Sequence, residues 1–199
     1  MKTKQLRTFV RYLLYGANLL PALVLLERFL SNNLGPNPIE EVLLFSGFWA
    51  MVLLLITLSI SPLVKLFSQG WLMPTRKWFG LGAFFYALLH LCFYIVLDQE
   101  LNLDWILEDV IDRWFIFLGS AAFLLLLPLA LTSNKMAMQK MGAKLWQKLH
   151  LLIYPGTFLA LLHFYFKKAA KNDDKEPLIY LAIFIGLMLL RFIKKGRAK

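Results

Sequence analysis

Cysteine occurs once in this 199-residue chain, at Cys92, so neither an internal disulfide nor a multi-thiolate metal site can be built from it. Glycine-rich loops of the dinucleotide and phosphate-cradling kinds are missing too, which removes the usual nucleotide-binding signatures. Charged residues make up only 17% of the chain, where soluble domains carry about a quarter. Acidic residues are absent from four stretches, Met1–Arg11, Lys65–Lys77, Thr132–Lys148 and Arg191–Lys199. What fills the space is apolar: 59% of residues are hydrophobic, and the mean hydropathy is +0.62. That balance excludes a soluble globular domain. It fits a single integral membrane domain over residues 1–199, with no room for a separate soluble one.

A membrane-crossing helix needs about 20 apolar residues. Six runs bounded by charge meet that need and predict an all-α polytopic bundle, with helices at about 8–26, 42–64, 78–97, 114–131, 149–166 and 178–193. The first is interrupted by Arg11, Asn18 and Pro21. It is expected to remain as a span, because it lacks a clear small-residue cleavage site and Glu27 and Arg28 follow it directly. Pro155-Gly156 predicts a local break in the fifth.

The four acid-free stretches hold 16 of the 22 Lys and Arg, while all 12 Asp and Glu fall in the alternate segments. Since cytoplasmic loops are the ones enriched in Lys and Arg, both termini are expected inside. The net charge of +10 is then a record of topology and implies no nucleic-acid partner. Lys167, Lys168, Lys171 and Lys175 break the pattern by lying on the outer side, where lipid headgroups or a partner protein could meet them.

Three histidines remain: His90, His150 and His163. An ionisable side chain in a membrane span is costly and marks a functional position, and imidazole is a common axial ligand of haem iron. His90 lies twelve residues beyond Trp78, about 18 Å in from the cytoplasmic end of its helix. His163 lies thirteen residues beyond His150, about 20 Å further along a helix of the same direction. The two therefore match in depth, in the outer half of the bilayer, and could offer one nitrogen each to a porphyrin between their helices. His150 is too far away to share that metal. The residues opposite it, Arg76 and Lys77, are not normal haem ligands, so it forms a half-site. Read singly, each histidine could also be a hydrogen-bonded packing residue, or a proton relay in a carrier.

Several segments resemble a known family. "LITLSISPLVKL", "PTRKWFGLGAFFYALLHLCFY" and "LALTSNKMAMQKMGAKLWQKLHLLIYPGTFLALLHFYF" are similar to the membrane haem subunits of the bacterial periplasmic methionine sulfoxide reductase system, the MsrQ/YedZ family of the ferric reductase-like transmembrane group. "LLPALVLL" and "LGPNPIEEVLLFSG" fit the same pattern, and the likeness runs over about residues 10–193. It implies haem b, FMN and a periplasmic molybdopterin-containing catalytic subunit as partner. It also implies that His90, His150 and His163 are haem ligands and that Arg76 is a basic position near a cytoplasmic haem or flavin. Two positions depart from the family: Leu44 precedes Phe45-Ser46-Gly47 where a histidine is frequent, and Tyr15 replaces a histidine of the first helix.

The expectation is a six-helix, ferric reductase-like membrane cytochrome b in the bacterial inner membrane, with electrons entering from quinol or a cytoplasmic flavin reductase and leaving to the periplasmic partner. Methionine sulfoxide would be reduced on that partner. The alternatives are a ferric or quinone reductase membrane domain and a histidine-based proton-coupled carrier.

Overall fold

A computed structural model describes residues 3–169 and 173–192. Lys171 and the expected end of the sixth span at Ile193 lie outside the described residues. All regular structure among the described residues is helical. Five helical stretches are long and apolar enough to cross a membrane: Thr3–Leu30, Pro38–Phe67, Gly70–Asp98, Trp114–Leu131 and Ala143–Ala169. The last described helix, Lys175–Phe192, forms where the sequence predicts a sixth span; its 18 residues include the charged Lys175, Glu176 and Arg191 at its ends.

The first span consists of two helices, α1 (Thr3–Ala17) and α2 (Leu20–Leu30). Pro21 lacks an amide hydrogen and so breaks the ladder there. The Tyr86 hydroxyl enters the gap. It donates to the Asn18 carbonyl (2.7 Å) and accepts from the Ala22 amide (2.9 Å), standing between two groups that a continuous helix would join directly. The Asn18 side chain donates back to Leu14 and Tyr15 and presses its oxygen against Gly82.

Asn37 caps α3 (Pro38–Phe67) by accepting from the Glu40 amide, and Pro38 occupies the first turn, where its missing donor costs nothing. Pro62 inside α3 frees the Leu58 carbonyl four residues earlier, and the Arg191 guanidinium donates to it at 2.7 Å. A short 3₁₀ turn leads to α4 (Thr75–Phe93), which passes into a π-helical turn over Tyr94–Asp98. The small helix α5 (Leu103–Asp112) follows, with exposed Leu103, Leu107 and Ile111 and a buried Asp109 that accepts from Tyr94, Gln99 and Arg113.

Next come α6 (Trp114–Leu131), α7 (Lys135–Met141) and α8 (Ala143–Leu149). Gly142 joins the last two at φ 75°, a conformation that favours glycine. A 3₁₀ turn at His150–Leu152 then separates α8 from α9 (Ile153–Ala169), and α10 (Lys175–Phe192) completes the described chain. The break in the fifth span therefore falls at His150–Leu152, just before the expected Pro155-Gly156. Pro155 sits in the first turn of α9, where a missing amide is tolerated.

The core is formed by two antiparallel pairs, α3 with α4 and α6 with α9, while α10 packs on α3 and α9. Leu58, Ala83 and Tyr86 are fully buried at its centre. Close approach depends on small residues. A Cβ on Gly156 would meet Leu126 of α6 at 3.2 Å, so glycine there sets the α6–α9 spacing. At one end of the bundle Arg76 reaches Ser61, Arg191 reaches Leu58, and His150 meets Ser133. At the other end are the pairs Arg28–Glu41, Arg113–Asp109 and Lys168–Asp173. Among the described residues, Arg76, Ser133 and Arg191 of the acid-free stretches thus share one end of the bundle, and the paired acids lie at the other.

Candidate functional site

His90, near the end of α4, and His163, late in α9, face one another across the bundle. Their ring centres are 6.0 Å apart and their planes are inclined by 79°. In each case a helix carbonyl holds the ring. His90 Nδ1–H donates to the Leu43 carbonyl at 2.9 Å, and His163 Nδ1–H donates to the Phe115 carbonyl at 2.6 Å. A helical carbonyl already serves the amide four residues on, but its second lone pair can accept an approaching side chain. In both places that residue four positions on is a glycine. A Cβ on Gly47 would lie 3.1 Å from the His90 ring, and one on Gly119 would lie 2.7 Å from the His163 ring. The two helix pairs therefore repeat one device: a carbonyl, a glycine one turn later, and a histidine from the partner helix seated in the space left by the missing side chain.

This arrangement has a chemical consequence. Fixing Nδ1 as the donor leaves Nε2 as the lone-pair nitrogen, the tautomer suited to metal ligation. Neither Nε2 has a hydrogen-bond partner among the described residues. Both imidazoles line a cavity of about 400 Å³, within the range of small-molecule and cofactor sites. Its walls are chiefly Leu43, Met51, Leu54, Ala87, Phe123 and Leu126. Two metal–imidazole bonds of about 2 Å, with the ring radius added at each end, span roughly 6 Å, which is the separation of the two rings. The glycine cradles, the carbonyl-held nitrogens and the ring spacing all fit a planar metal macrocycle held between α4 and α9.

His150 lies apart from this cavity. Its Nδ1 is 3.0 Å from the Trp146 carbonyl, its Nε2 is 3.5 Å from Ser133 Oγ, and its ring stacks on Trp146 at 3.8 Å. Trp146 in turn donates to the Thr132 carbonyl at 2.8 Å, tying α8 to the end of α6. Arg76, the fourth expected site residue, donates to Ser61 at 3.1 Å and interacts electrostatically with His150 and with Arg191. Arg191 also lies over the Tyr154 ring at 5.0 Å, and its Nε is buried without a hydrogen-bond partner. The structure thus brings His90 and His163 together and gathers His150, Arg76 and Arg191 into a second cluster at the basic end. No group of three or more His, Cys, Asp or Glu side chains at metal-binding range occurs among the described residues.

Sequence reasoning missed Gly47, Gly119 and Arg191, and marked Lys167 only as an outer-side anomaly, not as part of the cavity lining. The glycines could not be found by spacing alone, because their role depends on which helix packs against which. Lys167 and Arg191 carried a weak signal, as charges one turn from His163 and at the rim of an apolar run.

Comparison with known proteins bears on the same region. The family described as "Ferric reductase like transmembrane component" matches residues 46–161, more than half of the chain. The "Protein-methionine-sulfoxide reductase heme-binding subunit MsrQ" of Herminiimonas arsenicoxydans is 40% identical over 184 residues, covering 92% of this chain and 84% of the relative. The protein of the same name from Bordetella pertussis is 42% identical over 180 residues, covering 89% and 87%. That from Ralstonia nicotianae is 38% identical over 188 residues, covering 94% and 86%.

Proposed function

The chain belongs to the ferric reductase-like transmembrane family, within its MsrQ group, and from that premise we propose that it is the haem-carrying membrane subunit of a methionine sulfoxide reductase. It is one membrane domain over residues 1–199, with six crossing helices, both termini cytoplasmic, in the bacterial inner membrane. Its electrons come from the quinone pool or a cytoplasmic flavin reductase. They leave to a periplasmic molybdopterin-containing catalytic subunit, where the sulfoxide is reduced.

The observation that carries this reading is the His90–His163 pair, two imidazoles 6.0 Å apart with Nδ1 of each tied to a carbonyl. Bound haem b supplies a one-electron iron couple, and the protein supplies axial nitrogens and a low-dielectric shell that tune it. Leu43 and Phe115 hold the imidazoles in orientation, while the leucine and phenylalanine walls keep water from the metal. At the basic end the Arg76 guanidinium acts on both His150 and Arg191, and no acid is among the interacting groups of His150 or Arg191. This cluster suits an anionic cofactor at the entry side, a second haem or FMN.

The test is the visible spectrum of the purified protein. His90→Ala and His163→Ala should each abolish the low-spin bis-imidazole bands. The double variant should be little worse than either single, because ligands of one metal act as a unit. His150→Ala should keep those bands and lower occupancy only at the basic end. A folded His90 or His163 variant with an unchanged low-spin spectrum removes that residue from the site.

A further inference from the structure

Four lysines on the acidic side stand against the charge pattern of the rest of the chain. Lys168 is accounted for by its pairs with Asp173 at 2.7 Å and Glu176 at 3.2 Å. Lys167 has a different setting. It follows His163 by one helical turn, on the same face of α9. It is half-buried and lines the cavity that both imidazoles line. It acts electrostatically on His90 and on His163. Apart from those two histidines, it is the one basic or acidic side chain in the lining among the described residues.

An apolar cavity with one ammonium at its acid-rich end suits a ligand that is apolar over most of its area and carries carboxylate at one edge. A porphyrin of the b type has that chemistry. We propose that Lys167 pairs with a carboxylate substituent of the porphyrin held by His90 and His163, anchoring it at the outer mouth and favouring the reduced iron. The proposal rests on the histidine-pair reading above. An ammonium near a metal in low dielectric stabilises the state with one more electron, and its pairing with carboxylate opposes release of the ligand.

The experiment uses the full chain purified with haem, and the variants Lys167→Met, Lys167→Gln, Lys167→Arg and Lys168→Met. Two readouts are taken: the rate of haem transfer to excess apomyoglobin, and the midpoint potential from a spectral redox titration. Both uncharged Lys167 variants should release haem about tenfold faster. They should also shift the reduced-to-oxidised ratio about tenfold toward oxidised, equivalent to about 59 mV for one electron. Lys167→Arg and Lys168→Met should behave as the parent. Wild-type release and potential in both uncharged Lys167 variants, with the low-spin spectrum intact, overturn the proposal and leave the histidine pair standing. An equal effect from Lys168→Met overturns it as well, since the effect would then be one of general surface charge. A parent protein without a bis-imidazole spectrum overturns the histidine reading itself.

Discussion

The two histidines are set by groups that have no metal chemistry of their own. Carbonyls orient the rings, and absent side chains admit them. Gly119 offers the stricter test, since an added Cβ would stand 2.7 Å from His163 Nδ1, closer than real Cβ contacts, and the ring is held by its 2.6 Å bond to Phe115. Gly47 leaves 3.1 Å to His90, which a shift of a few tenths of an ångström relieves. Gly119→Ala should therefore displace the imidazole and strip most of the low-spin haem signal. Gly47→Ala should keep a larger share of it. The haem-to-protein ratio and the low-spin band intensity of the two variants, purified side by side, check the order. Equal, near-parental loading in both would mean that the rings move freely and that the glycine cradle is not what positions them.

At the scale of the helix, prolines create needs that neighbouring helices meet. Pro21 breaks the first span and Tyr86 fills the gap; Pro62 frees the Leu58 carbonyl and Arg191 supplies the donor. Removing the Tyr86 hydroxyl leaves the Asn18 carbonyl and the Ala22 amide without partners in an environment that offers no water. Hydrogen bonds inside membrane bundles average about 0.6 kcal/mol, up to about 1.7. Tyr86→Phe removes two such bonds and should lower stability by roughly 1–3 kcal/mol, with the haem spectrum little changed because Tyr86 does not line the cavity. Unfolding in mixed detergent, followed by tryptophan fluorescence, measures the loss. A midpoint equal to the parent's would show that the kink stands without its bridge. These pairings also mark how far a sequence can be read. Pro21 and Asn18 announce a disturbed first span, and Trp114–Leu131 is legible to the residue as the apolar run between Arg113 and the polar Thr132-Ser133-Asn134. That Tyr86 bridges the kink depends on α4 packing beside α1, a choice made by the whole bundle. The matched depths of His90 and His163 were legible because both follow from a fixed rise per residue along helices of one direction. His150 was legible as separate for the same reason. Its Trp146 stack is local, since the two residues lie four apart on one helical turn; the His150–Leu152 3₁₀ turn, which sets how α8 faces α9, was hidden.

For the molecule as a whole, charge and histidine position agree on a direction. Among the described residues, Arg76, Ser133 and Arg191 of the acid-free stretches meet at one end of the bundle beside His150, and Glu41, Asp109 and Asp173 mark the other. The His90–His163 pair is held by carbonyls near the starts of α3 and α6, toward the acidic end. Lys and Arg retained in short loops set the orientation of membrane proteins, whereas acids count for little. The basic end should therefore face the cytoplasm, and the histidine pair should lie nearer the periplasm, where an outward-directed electron path must finish. A reporter that fluoresces only in the cytoplasm should be bright when fused after Lys199, and also when inserted in the loop between α6 and α7. The same reporter inserted between α2 and α3 should be dark at equal expression. Shifting the balance of basic charge, by replacing Lys135, Lys140, Lys144 and Lys148 with glutamine and adding lysines between α2 and α3, should lower the first two signals. A dark, stably expressed fusion after Lys199 in the parent chain would reverse the topology, and with it the direction in which this protein could carry electrons.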